Sequence, residues 1–281
     1  MRAQFPSKTQ AGYTIVEFLI AGVLGLILLA GIGQLFLGSS QTYNVQRQLA
    51  DLQDNGRIAI WLLKEDIEEA GWRNAGASSN DVPAVLFTPN AQSNAAVCPG
   101  NICSFDGGGA NSDAIVITYE GVTDCNGAAV AAGVVQNRYF VQGTQLMCQG
   151  NGGGVSQPLI ENVAAFQVLY GVDLDSPAAG VAVPALRCAD RAVDRFFTLD
   201  AIPTGVVGLD TVPTGMSIVS VRFSLLLAGQ ANNSLPDIPR TYQVADRSYV
   251  FNDRIPRRVF SLTVPIRNVR LPAGPNKCPG A

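Results

Sequence analysis

The chain has 281 residues, 47% of them hydrophobic, with 19 basic and 22 acidic side chains for a net charge of −3. That is length enough for one well-buried core, or for a smaller core joined to a long helix, and so sparse and balanced a charge excludes the clustered Lys and Arg of a nucleic-acid-binding face. Histidine is absent, which removes the commonest general base, triad partner and metal ligand in one step, so an enzyme is disfavoured and no cofactor or metal is expected.

Residues 1–12 (MRAQFPSKTQAG) form a short basic and polar leader with Arg2, Pro6 and Lys8. An ordinary secretory signal places its apolar core before the cleavage site. Here the small residue suited to cleavage, Gly12, comes before the apolar core, so a cut there leaves the hydrophobic segment on the mature chain. The positive leader orients that segment with its N-terminus cytoplasmic and everything after residue 40 outside.

From Phe18 to Gln46 there is no charged residue, and most positions to Leu37 are apolar. About 20 apolar residues suffice to cross a bilayer as a helix. One acid, Glu17, stands just inside the start of this run, where a carboxylate is costly unless it lies near the headgroups or finds a partner. Between Pro6 and Pro83 there is no proline to force a break, so one helix is expected from Tyr13 to Ala70. Gly22, Gly25, Gly31, Gly33 and Gly38 lower its intrinsic stability and allow close packing of helices. Beyond Ser39-Ser40 the pattern turns amphipathic: Val45, Leu49, Leu52, Gly56, Ala59, Leu63 and Ile67 make a stripe that must lie on a folded domain. Gly71 is suited to end the helix.

Residues 72–112 are rich in Gly, Ala, Asn and Ser, with a short strand expected at Val85-Leu86-Phe87. The runs Gly107-Gly108-Gly109 and Gly152-Gly153-Gly154 lack the Lys-Ser/Thr and the strand-to-helix context of a phosphate loop and read as flexible loop tips. After residue 112 the period switches to two. Strands are expected at Ala114–Tyr119, at Arg138–Val141 and Gln145–Cys148 around a Gln142-Gly143-Thr144 turn, at Phe166–Val172, at Ile218–Ala228 and at Arg258–Val269, with Pro265 confining the last to an edge or a bulge. A helix followed by antiparallel strands is an α+β fold. Asp173 and Asp175 alternate as calcium-loop ligands do, but the Gly and distal acid of that motif are missing. Arg254, Arg257 and Arg258 read as a solvated edge.

The six cysteines, Cys98, Cys103, Cys125, Cys148, Cys188 and Cys278, all follow the apolar run. An even number in an exported domain reads as disulfides with open connectivity, and the rival zinc reading lacks a CxxC or a histidine.

The stretch Gly12-Tyr13-Thr14-Ile15-Val16-Glu17-Phe18-Leu19-Ile20 resembles the N-terminal motif of type IV prepilins and pseudopilins. Leu52-Gln53-Asp54-Asn55-Gly56-Arg57, Glu65-Asp66-Ile67-Glu68-Glu69-Ala70-Gly71-Trp72, Thr123-Asp124-Cys125, Asn137-Arg138-Tyr139-Phe140, Val168–Asp173 and Arg257-Arg258-Val259-Phe260-Ser261 are similar, in the same order, to the PilW group of minor pilins. The resemblance implies a pilin-like fold and cleavage after Gly12 by a prepilin peptidase. It also implies N-methylation of Tyr13, which replaces the usual phenylalanine, and pairing of Glu17 with the amine of a neighbouring subunit. It divides the chain into a leader (1–12), a membrane-spanning or filament-core half of the helix (13–38), an amphipathic half (39–71) and a disulfide-bearing β-rich domain (72–281). The implied role is to prime pilus assembly, with other minor pilins, the major pilin and the inner-membrane assembly platform as partners. The domain would be periplasmic and later extracellular. Among the cysteines, Cys125–Cys148 is the expected pair, tying the loop after the first strand to the hairpin; Cys98–Cys103 would then be a local staple and Cys188–Cys278 the pair left over. A pseudopilin of a type II secretion system shares these features, and a single-span membrane enzyme or receptor domain is the third reading.

Overall fold

The computed structural model describes residues 12, 14–73, 104–109, 111–131, 133–173, 192–202, 206–207, 216–231 and 237–268. Tyr13, Cys98, Cys103, Asp175, Cys188, Cys278, Val269 and the strand expected at Val85-Leu86-Phe87 lie outside these residues. One helix, α1 (Ile15–Glu69), precedes all the strands. The chain divides into two compact units, one ending at Gln48 and the other beginning at Leu49.

The first unit is helical from Ile15. Its large apolar side chains from Ile15 to Leu37 are each 56–80% exposed. By length and composition this segment is apolar enough to cross a membrane.

In the second unit, the last turns of α1 bury Leu52, Gly56, Ala59, Leu63 and Ile67, the three- and four-residue spacing of one helix face. Leu49, expected in the same stripe, is 40% exposed. The helix ends at Gly71, whose φ of 73° suits a residue without Cβ and whose N–H donates to Thr118 O at 2.8 Å. The Asn268 side chain donates toward the terminal carbonyls of Glu68, Glu69 and Ala70 at 3.4, 3.4 and 3.2 Å, meeting acceptors that a helix end leaves open.

Two main sheets follow, antiparallel except where one short strand joins the second. In the first, β1 (Ala114–Glu120), β2 (Val134–Gln142), β3 (Gln145–Gly150) and β4 (Gln157–Glu161) lie in sequence order. β2 and β3 meet in a turn in which Gly143 has φ 62°. In the second, β11 (Arg257–Pro265), β8 (Met216–Ala228), β5 (Val163–Asp173) and β6 (Arg195–Phe197) are neighbours in that order, and β7 (Val206–Val207) pairs with β8 in parallel. β9 (Arg240–Val244) and β10 (Arg247–Phe251) form a separate hairpin. The main core joins α1 to both sheets through Leu63, Ile67, Ile117, Leu146, Phe166, Phe223 and Leu225. A second cluster, Ala165, Leu226, Val244 and Tyr249, seats the β9–β10 hairpin.

Several expectations are corrected. β11 ends at Pro265 instead of continuing to residue 269, with one further bond to β8 from Ile266 N–H to Val219 O at 2.9 Å, and it lies at the edge of its sheet, where a proline is tolerated. Arg257 is not solvated. Its side chain is 7% exposed, grips Asp253 with two bonds at 2.6 and 2.7 Å and stacks over Phe251 at 3.7 Å. The glycine runs are only partly loose: a Cβ on Gly107 or Gly152 would strike backbone oxygens of Ser112 or Ala128, while their two outer glycines meet nothing within 4 Å.

The helix meets the sheet closely at Gly56, where a Cβ would lie 2.3 Å from the Phe260 ring. Gly56→Ala is expected to destabilise the full chain by about 1–3 kcal/mol through overpacking, despite the roughly 1 kcal/mol that alanine gains in helix propensity. Urea unfolding of Gly56→Ala with and without Phe260→Leu checks this, because the second change removes the obstruction and should recover much of the loss.

Candidate functional site

Glu17 is the first candidate residue. α1 opens after Thr14, which is exposed, and Glu17 falls three residues later. The Glu17 Oε2 accepts from both the backbone N–H and the hydroxyl of Thr14 at 3.1 Å. In return, the Thr14 hydroxyl accepts from the Glu17 N–H at 3.3 Å. This reciprocal arrangement is a capping box. It satisfies donors at the helix start and places the carboxylate at the positive end of the helix dipole. Gly12, the expected cleavage position, is exposed, with nothing within 4 Å of the place a Cβ would take.

The second candidate region is the seat of the helix end on the sheet. Asp66, on the buried side of α1, accepts from the Tyr139 hydroxyl at 2.5 Å and from Asn137 Nδ2 at 2.7 Å. Asn137 Nδ2 also donates to the Tyr119 hydroxyl at 3.1 Å, while Asn137 Oδ1 accepts from the Cys125 N–H at 2.9 Å. Burial raises the Asp66 pKa above the ordinary carboxylate range, and burial with the Asp66 charge raises Tyr139. Cys125 and Cys148 form a disulfide closing 23 residues, with Cα atoms 6.5 Å apart. Asp124 holds the intervening loop by accepting from the N–H groups of Asn126, Ala128 and Gly152 at 2.8–2.9 Å.

Asp113 performs a similar task next to β5. One carboxylate oxygen accepts from Gly107 N–H at 2.9 Å and the other from Val168 N–H at 2.8 Å. Beside it, Asp106 pairs with Arg247, which also donates to Gly109 O at 2.7 Å. Burial pushes Asp113 up to about 7 against these hydrogen bonds. Asp173 is buried at the end of β5. Among the described residues no group of three or more His, Cys, Asp or Glu side chains is placed to hold a metal ion. The arrangement holds together a helix, two sheets and a stapled loop.

Asp66 and Asp113 were not singled out in the sequence. Asp66 carried a signal, since an acid three residues after Leu63 and one before Ile67 falls on the inward side of the helix. Asp113 had none, because its partners are backbone N–H groups, one in the preceding loop at Gly107 and one on β5 at Val168.

Comparison with known proteins places residues 131–268 in a match to the family model PilW, type IV pilus-assembly protein W. Among solved structures, a type IV-like pilin from Thermus thermophilus is similar at 16% identity and a TM-score of 0.39, covering 77% of this chain and 96% of that one. No curated protein matches.

The raised Asp113 pKa gives a signed pH dependence. The folded chain holds this proton more tightly than the unfolded chain, so the group's contribution to stability rises as pH falls from about 7 toward the ordinary value of 3.8. Asp113→Asn should compare most favourably with the wild type at pH 8 and lose ground at pH 5. Urea midpoints of both proteins at the two pH values measure it, and an equal difference at both would exclude the linkage.

Proposed function

We propose that this chain is a minor pilin of the type IV pilus, a structural subunit and not an enzyme, that helps to initiate assembly within a priming or tip complex. The observation that carries this reading is the match of residues 131–268 to the PilW family model, on a chain whose α1 begins with a membrane-length apolar segment. In this reading a prepilin peptidase cleaves after Gly12 and Tyr13 becomes the N-methylated first residue. The helix then holds the subunit in the inner membrane with its N-terminus cytoplasmic and its β domain periplasmic. Assembly places it among other minor pilins and the major pilin, through the inner-membrane platform.

Glu17 links the geometry to assembly. Its cap with Thr14 engages one carboxylate oxygen, Oε2, and among the described residues no cation pairs with its negative charge. In an apolar filament core an unpaired carboxylate costs several kcal/mol, so the positive amine of a neighbouring subunit favours one axial stagger over others.

N-terminal sequencing of the chain from its native membrane tests the reading directly. A mature start at methylated Tyr13 is expected, and an intact leader would overturn it. Gly12→Ala should leave unprocessed protein in the membrane. Glu17→Gln separates the two roles of the acid, since glutamine can still accept the Thr14 N–H but carries no charge. Pilus counts should fall in Glu17→Gln as they do in Glu17→Ala, whereas normal counts in Glu17→Gln would reduce Glu17 to a cap.

A further inference from the structure

Most sheet edges in this protein are closed or blunted. The outer side of β1 is occupied at each alternate residue. Ala114 pairs with Phe105, Val116 N–H donates to the Ser104 hydroxyl, Thr118 O accepts from Gly71, and Glu120 N–H donates to Trp72 O. The side of β5 that faces away from β8 is covered where β6 does not reach. There, Ser112 and Asp113 bond Phe166 and Val168. β4 has five residues, includes Pro158, and meets β3 through a register shift. Such features keep an edge from recruiting another strand.

β11 is different. It is nine residues long and ends the order of its sheet. Its register fixes which groups point outward. Ile266 N–H bonds Val219 O and Gly229 N–H bonds Pro256 O, so the even-numbered residues from Arg258 to Val264 exchange their bonds with β8. Val259, Ser261 and Thr263 therefore direct both N–H and C=O away from the sheet. Among the described residues none of these backbone groups has a partner. Such a row is matched by an extended chain, which supplies alternating acceptors and donors at the same repeat.

Charge narrows the occupant. Arg258, within the strand, and Arg254, before it, are exposed and have no ion pair among the described residues. The nearby acids are already engaged, Asp253 by Arg257 and Glu68 by Lys64 and Arg267. A second copy would add the same basic side chains, whereas an acidic strand neutralises them.

We propose that β11 is a docking edge that accepts an extended, acidic segment of a different subunit of the same assembly as an added strand. This rests on the filament reading above. Amide hydrogen exchange of the full chain tests it, comparing protein in detergent micelles with protein recovered in assembled filaments and dissolved for readout after exchange. In micelles the amides of Val259, Ser261 and Thr263 should exchange quickly while those of Phe260, Leu262 and Val264 are protected. In filaments the first three should slow by at least about 100-fold, as expected for groups entering a stable ladder. Thr263→Pro, which removes one outward N–H, should lower incorporation into filaments. Thr263→Val keeps the N–H and should not, and protection of the even-numbered amides confirms that both variants fold. Arg258→Glu should also lower incorporation, and undiminished incorporation would exclude an acidic partner. Filaments that contain the chain with all three outward amides still exchanging would overturn the docking edge alone, whereas absence of the chain from filaments would overturn the filament reading and the edge together.

Discussion

The second unit depends on how a helix carrying a carboxylate lies against a sheet. Asp66 is half-buried at that seam, and a carboxylate withdrawn from water is tolerated only where donors replace the water it has lost. Tyr139 and Asn137 supply them from alternate positions of β2, the same face of one strand. Because Asn137 also accepts from the Cys125 N–H, the disulfide loop is tied to the helix through a single side chain. Gly56 sets the other constraint, since only a residue without Cβ lets Phe260 of β11 lie flat against α1. Polar partners at one end and a missing methyl at the other fix the helix over both sheets.

These constraints explain why short stretches of sequence carried so much of the resemblance. Gly56 lies in Leu52–Arg57, Asp66 and Gly71 in Glu65–Trp72, Asp124 and Cys125 in Thr123–Cys125, Asn137 and Tyr139 in Asn137–Phe140, and Arg257 and Phe260 in Arg257–Ser261. Each segment contributes a side chain, or the lack of one, that joins two elements. Residues of that kind tolerate few replacements, whereas strand interiors accept many apolar combinations.

The long helix and the apolar or hairpin-forming strands were legible because their periodicity comes from burial on one or both faces. β9 and β10 were not. Their burial alternates, but with Arg240, Thr241, Gln243, Arg247 and Ser248 on or between the exposed positions. Their turn also uses Ala245 at φ 53° where glycine or asparagine would have announced it. β6 and β7 have three and two residues, too few for any period to show. Arg257 was misread because charge predicts solvent only when no partner is near, and Asp253, four residues earlier, is visible in sequence only as one more acid. The capping box at Thr14 and Glu17 was readable in principle from its three-residue spacing, but the apolar run drew attention to the cost of the acid and not to its local use.

The glycines of α1 divide by where their missing side chains are used. Gly56 is used within the chain, against Phe260. Gly22, Gly25, Gly31, Gly33 and Gly38 have nothing within 4 Å of the place a Cβ would take. Each costs about 1 kcal/mol relative to alanine in a helix, and no contact in the described chain offsets that loss. The surrounding Leu, Ile, Val and Phe side chains are likewise mostly uncovered, each at more than half exposure. Lipid alone accounts for the apolar side chains but gives no reason for the glycines, because tails pack against leucine as well as against a bare backbone. Close approach of other helices does give one, since small residues let backbones meet. In the filament reading proposed above, the glycines of the apolar half of α1 would serve helix packing between subunits in addition to membrane anchoring.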